Sequence, residues 1–269
     1  MKRAALRAAW ALILELLGPM PGVRAGEARI VVGPNVHVSH ERADIPHREV
    51  VLAADPNRPN RLLAGSMIEY KGNPLPPSVA YASEDGGRTW RLVLERRSPE
   101  DRSISGDPAV AFGPDGTAYF TTMARRGLFR SRDGGRTWEP PSALDPEANL
   151  DREFLTVDVT GGRFRGRLYW SSAIELQPLG GHGRDASGIA VYASGDGGLS
   201  FERPSLRIAE PPLRASGVGN GVVLSDGTFV VMFNLREPLP PVGAVVAPGP
   251  NASLGIGRST DGEIGRAHV

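Results

Sequence analysis

The chain has 269 residues, with 34 Gly, 24 Pro, no Cys and a formal net charge of +1 at pH 7. This describes a turn-rich protein long enough for a sizeable core, and it excludes disulfides, thiolate zinc sites and a cysteine nucleophile. No basic cluster interleaved with aromatics occurs, which argues against nucleic acid as a partner.

In chain order, the first 25 residues stand apart. Lys2, Arg3 and Arg7 precede an apolar stretch over residues 8–17, and Val23 and Ala25 occupy the −3 and −1 positions of a cleavage site. That is the pattern of a secretory signal peptide over residues 1–25, and it predicts a secreted or periplasmic protein. The apolar stretch is too short to span a bilayer, so no membrane span is expected after cleavage. Loss of Lys2, Arg3, Arg7, Arg24 and Glu15 takes the remainder to a net charge of −2. Residues 26–46 form a lead-in and a candidate ring-closing strand. His37 and His40 lie three apart within it without a carboxylate triad in register, so neither a metal site nor a cofactor is expected.

From His47 onward a long pattern repeats. HREVVLAADP (from His47), SGDPAVAFGPDG (from Ser105), LDREFLTVDVTGG (from Leu150) and VGNGVVLSDG (from Val218) are each followed by a second apolar run and then a third. The third run leads into a glycine corner: SEDGGRTW (residues 83–90), SRDGGRTW (131–138), SGDGGLSF (194–201) and STDGE (259–263). The corner aspartates Asp85, Asp133, Asp196 and Asp261 are 48, 63 and 65 positions apart, the range of one supersecondary unit per copy. Each unit reads as inner strand, turn, second strand, loop, third strand, hairpin and fourth strand, which is one blade of a β-propeller. Innermost strands are predicted over residues 50–54, 108–112, 154–157 and 221–224. No helical periodicity survives past the leader.

The corners have a structural logic. The serines Ser83, Ser131, Ser194 and Ser259 and the aspartates fold back onto backbone N–H groups. The glycines Gly86, Gly87, Gly134, Gly135, Gly197, Gly198 and Gly262 supply positive φ. Trp90, Trp138 and Phe201 restart a strand and are expected to be buried between neighbouring blades.

The first two corners match S-x-D-G-G-x-T-W letter for letter, and residues 47–262 thereby resemble the Asp-box (BNR-repeat) sialidase superfamily. The resemblance implies a six-bladed all-β propeller with its Asp boxes at the periphery, structural in role and away from the central site. About three and a half to four blades would be present here. The fourth box breaks off at Glu263, and EIGRAHV is the translation of one leftover base and a common sequencing-library adapter. Residues 263–269 are therefore expected to be a non-native tail on a fragment.

In a propeller the polar residues ahead of each inner strand face the channel mouth. The candidates are Asp107, Glu153 and Arg152 for catalysis, and His47, Arg48, Glu49, Arg102, Asp151 and Asn220 for binding; Glu49, Asp107 and Glu153 read as a recurring carboxylate. The resemblance implies, for a sialidase, arginines on the substrate carboxylate, an acidic Asp and a Tyr activated by a Glu, with the first Arg in an Arg-Ile-Pro motif. Here that segment reads Asp44-Ile45-Pro46 and carries no such Arg. Two functions stay open: a propeller that binds glycan or protein through the mouth, and an exo-sialidase-type glycoside hydrolase whose nucleophile lies in later blades.

Overall fold

The computed structural model describes residues 32–69, 76–95, 104, 106–123, 127–144, 149–176, 186–202, 214–236 and 253–262. The leader, the 263–269 tail and Arg102 lie outside the described residues. Every described strand belongs to one compact unit, Val36–Val269.

The described elements are a single 3-10 turn, His40–Arg42, and antiparallel strands. The first sheet has the order β1 (His47–Asp55), β2 (Arg58–Ile68), β3 (Ser78–Ser83), β4 (Arg91–Leu94). The second runs β5 (Pro108–Phe112), β6 (Ala118–Thr122), β7 (Gly127–Ser131), β8 (Ser142–Ala143). The third is β9 (Asn149–Val157), β10 (Leu168–Leu176), β11 (Ala186–Ser194), with β10 central. In the fourth, β14 (Phe229–Arg236) pairs with β12 (Arg214–Val218) and β13 (Val222–Val223) on one side and with β15 (Ser253–Ser259) on the other.

One register runs through all four sheets. The corner serine of the third strand lies opposite Leu62, Ala118, Leu168 or Phe229. Those residues in turn face Ala54, Phe112, Val157 and Val223 on the innermost strand. The predicted inner strands thus hold, with two changes. β1 and β9 begin earlier than predicted, and the fourth inner strand is broken at Gly219-Asn220-Gly221, where Gly219 N donates to Met232 O at 2.9 Å.

Side chains alternate across each strand, so each sheet has two faces to bury. Leu63, Ala80 and Ala82 of the first sheet pack on Phe112, Phe120 and Phe129 of the second. Tyr119 and Leu128 from the second sheet meet Leu168, Trp170 and Tyr192 on one face of the third. Its other face carries Tyr169, Ile189 and Val191 against Phe229, Val231 and Phe233 of the fourth. Tyr169 stacks on Phe229 with ring centroids 4.2 Å apart. The sheets are therefore stacked side by side in chain order, with the apolar core lying between them. At the two ends of this series Val50 and Leu52 on β1, and Met232, Leu254 and Ile256 on β14 and β15, are exposed.

The corner turns share one hydrogen-bond scheme. In the second sheet Asp133 Oδ1 accepts from Arg136 N and Thr137 N, both at 2.9 Å, and from Ser131 Oγ at 2.7 Å. Its Oδ2 accepts from Thr137 Oγ1, while Gly135 N donates to Ser131 Oγ, both at 2.7 Å. Asp85 and Asp196 repeat the pattern with Thr89 and Ser200. The second glycine also has a packing duty. Gly198 has φ +81°, and a methyl there would collide with Leu128 of the preceding sheet. The aromatic restarts are less uniform than expected. Trp90 is buried and donates from Nε1 to Gly87 O at 2.9 Å. Trp138 and Phe201 are only partly buried, each set edge-on against an aromatic partner, Phe120 and Trp170.

Candidate functional site

The inner strands lie side by side in the order β1, β5, β9, β13, so their leading residues share one end of the molecule. Near those leading ends β1 and β9 depart from regular pairing in the same manner. Arg48 pairs with Met67 and Val51 with Gly65, leaving Glu49 and Val50 opposite Ser66 alone. Likewise Asp151 pairs with Ala173 and Phe154 with Ser171, leaving Arg152 and Glu153 opposite Ser172. These are β-bulges, which re-aim side chains where a strand reaches a site. Glu49 and Arg152 adopt left-handed backbone, φ 54° and 57°, a conformation costing a non-glycine residue about 1–2 kcal/mol.

A serine clasps each bulge from the neighbouring strand. Ser66 Oγ lies 3.0 Å from Arg48 O and 2.9 Å from Met67 O, its proton shared between the two carbonyls. Ser172 Oγ lies 3.0 Å from both Asp151 O and Ala173 O. Sequence reading missed both clasps, although the serines recur at the same step of the repeat, in AGSM and WSSA.

Register also revises the supposed carboxylate row. Ser66, Thr122 and Ser172 stand at one step of the second strand, and opposite them lie the Glu49-Val50 bulge, Pro108 and the Arg152-Glu153 bulge. Asp107, just before Pro108, therefore lines up with Arg48 and Asp151, while Glu49 matches Arg152 and Glu153 matches Val50, so the three carboxylates do not share one position. Glu153 is 2% exposed, whereas Glu49, Asp151 and Arg152 are open to solvent.

Asp107 is the electrostatic centre of the cluster. Burial pushes its carboxyl above the ordinary value, and the charges of Glu49 and Asp151 push the same way; Arg152 and Arg48 pull it back. One half-buried acid thus shares its field with two carboxylates and two guanidiniums from β1 and β9. Such an array can accept hydrogen bonds from hydroxyls, donate to an anionic group, or keep a proton on Asp107 to higher pH than an ordinary carboxyl does.

Two candidates lie elsewhere. His47 Nδ1 is 2.8 Å from Ile45 O, which can only accept, so Nδ1 carries the proton and Nε2 accepts from Tyr81 Oη at 2.9 Å. With both ring nitrogens engaged, His47 acts as a brace between the lead-in and the first sheet. Asn220 is exposed in the break of the fourth inner strand. Among the described residues no group of three or more His, Asp or Glu could hold a metal ion.

No family model matches the chain, and no curated protein matches it. Solved structures do resemble it. A protein of unknown function from Dyadobacter fermentans superposes with a TM-score of 0.54 at 17% identity over 82% of this chain and 67% of that one. The α-L-arabinanase of Penicillium chrysogenum, complexed with arabinobiose, gives 0.52 at 16% identity, covering 81% of this chain and 65% of its own. The GH93 α-L-arabinofuranosidase of Fusarium graminearum, with arabinobiose, gives 0.51 at 14% identity, covering 82% and 65%. The likeness shows a shared all-β fold of antiparallel sheets, that of a β-propeller. The chain spans about two thirds of the length of each of these structures. Among the described residues no helix is long and apolar enough to cross a membrane.

Proposed function

We propose that this protein is a secreted propeller of the Asp-box sialidase superfamily that binds a glycan at the mouth formed by the leading ends of its inner strands. The observation that carries the reading is the convergence of Asp107, Glu49, Asp151, Arg48 and Arg152 around one half-buried carboxyl. Carboxylates and guanidiniums interleaved in this way suit hydroxyls and an acidic sugar group together. The complexes of the arabinanase and the arabinofuranosidase with arabinobiose support a carbohydrate ligand. Further sheets of a six-bladed ring would cover the apolar faces at Val50 and Leu52 and at Met232, Leu254 and Ile256.

One observation favours a hydrolytic second reading. A carboxyl raised by burial and by neighbouring acids is what a glycosidase needs in its general acid, which supports Asp107 for that role. Titration calorimetry with sialyllactose and arabinobiose, paired with a fluorogenic sialoside assay, separates the two. Binding reading: affinity falls at least about tenfold in Asp107→Asn and Arg152→Ala, with no turnover in wild type. Turnover abolished by Asp107→Asn establishes the hydrolase instead. Affinity unchanged in both variants removes the mouth as the site.

A further inference from the structure

Asp107 precedes β5, whereas Asp115 follows it, so the first turn of each sheet and the corner turn lie at the other end of the strands. Five residues of strand, about 17 Å, separate the two ends. At that far end a cavity of about 320 Å³ opens between the second and third sheets. Asp115, Tyr119, Arg130 and Arg132 line it from the second sheet, and Asp196 and Gly197 from the third. The mouth site uses none of these residues.

Their hydrogen-bond inventory is incomplete in a specific way. The Tyr119 ring is buried, yet its hydroxyl takes no partner among the described residues. Burial pushes that phenol up to about 12, so it remains a donor at neutral pH. Asp115 accepts one bond on each oxygen, from Thr117 N at 3.0 Å and Thr117 Oγ1 at 2.8 Å, and keeps lone pairs to spare. Asp196 Oδ1 is saturated by Ser194, Leu199 and Ser200, but among the described residues Oδ2 accepts only from Ser200 Oγ at 2.6 Å. Arg130 engages Gly197 O and Glu139, and Arg132 Nε engages Glu139 at 2.9 Å, which leaves N–H groups of both guanidiniums unused among the described residues.

Asp115 and Asp196 face two guanidiniums that are already paired with Glu139, so charges of both signs line the wall and the local sum is −1. A small anion would meet Asp115 and Asp196, and a cation would meet Arg130 and Arg132. A group that both donates and accepts meets no repulsion and can satisfy every spare position. Hydroxyls do this, and several on one rigid ring match several fixed partners at once. The volume is at the lower end of the range for small-molecule sites, about 300–1,000 Å³, which suits one ring.

We propose that this cavity is a second binding site, on the corner-turn end of the molecule, for a neutral polyhydroxylated ring such as one sugar residue of a glycan. It is independent of the mouth site, so a glycan could engage both ends of the strands.

The test is saturation-transfer NMR on the full chain with arabinose, galactose, glucose and N-acetylglucosamine, with glucuronate and glucosamine as charged controls. The expected result is binding of at least one neutral sugar that does not weaken between about 50 and 500 mM NaCl. In Tyr119→Phe that affinity falls about fivefold, the loss of one neutral hydrogen bond, with the melting temperature unchanged. Arg132→Ala, on a side chain 71% exposed, gives the same loss without touching the core. Asp107→Asn leaves this binding intact, whereas Tyr119→Phe leaves any binding at the mouth intact, so failure of one site is read separately from failure of the other. Absence of neutral-sugar binding, binding that survives both Tyr119→Phe and Arg132→Ala, or a salt-sensitive preference for glucuronate overturns the proposal.

Discussion

Replacing Asp133 by alanine removes the acceptor for two backbone N–H groups and two hydroxyls in the second corner turn. The turn is partly open to water, so the freed donors are rehydrated in part, and each bond contributes near the lower end of its usual net value of about 0.5–1.5 kcal/mol. The expected cost is about 2 kcal/mol, or a fall of roughly 4–8 °C in melting temperature for a chain of this size. A pH series adds an independent check. Partial burial works to raise this carboxyl, but the bonds from Thr137, Ser131 and Arg136 outweigh it and hold it at about 2, below the ordinary 3.8. A depressed folded value stabilises above the unfolded value, and the contribution is lost as pH falls toward the folded one. Thermal melts of wild type and Asp133→Ala should therefore differ fully at pH 5–7, approach each other below about pH 4, and nearly coincide by about pH 2. A variant that melts with wild type at neutral pH yet loses ligand binding would refute the structural role of the turn.

Other perturbations have equally definite outcomes. Trp90→Ala should cost about 3–5 kcal/mol in chemical denaturation and Trp138→Ala visibly less, because only Trp90 is buried and hydrogen-bonded; equal losses would contradict this. Gly198→Ala forces a methyl toward Leu128 at positive φ and should cost at least about 2 kcal/mol, so a neutral result in the same assay would show that the third corner turn does not seat on the second sheet. Ser172→Ala releases the β9 bulge and should weaken glycan affinity more than it lowers the melting temperature, with Asp85→Asn as the reverse control. Because the Asp107 carboxyl is raised, ligand affinity that needs its ionised form should keep climbing above the usual carboxylate range as pH rises, and should be flat there in Asp107→Asn.

Much of the architecture was written locally. A corner turn closes through the side chain of its own Ser and Asp and the positive φ of its own Gly, all within about eight residues, so S-x-D-G-G announces it wherever it stands. The alternation of Leu168, Tyr169 and Trp170 already says that the third sheet buries both faces, since successive side chains on a strand point opposite ways. The ends of the inner strands followed from the same repeat. What the tertiary structure alone decided is which leading residues meet. The bulges at Glu49 and Arg152 shift the register by one residue, and a one-residue shift exchanges the two faces of a strand. Aligned by letters, Glu49, Asp107 and Glu153 form a carboxylate row; aligned by pairing, Asp107 stands with Arg48 and Asp151, Glu49 with Arg152, and Glu153 is buried. The cavity beside Tyr119 belongs to the same category. Its walls come from turns about 80 residues apart, Asp115 and Asp196, and only the stacking of one sheet on the next brings them face to face.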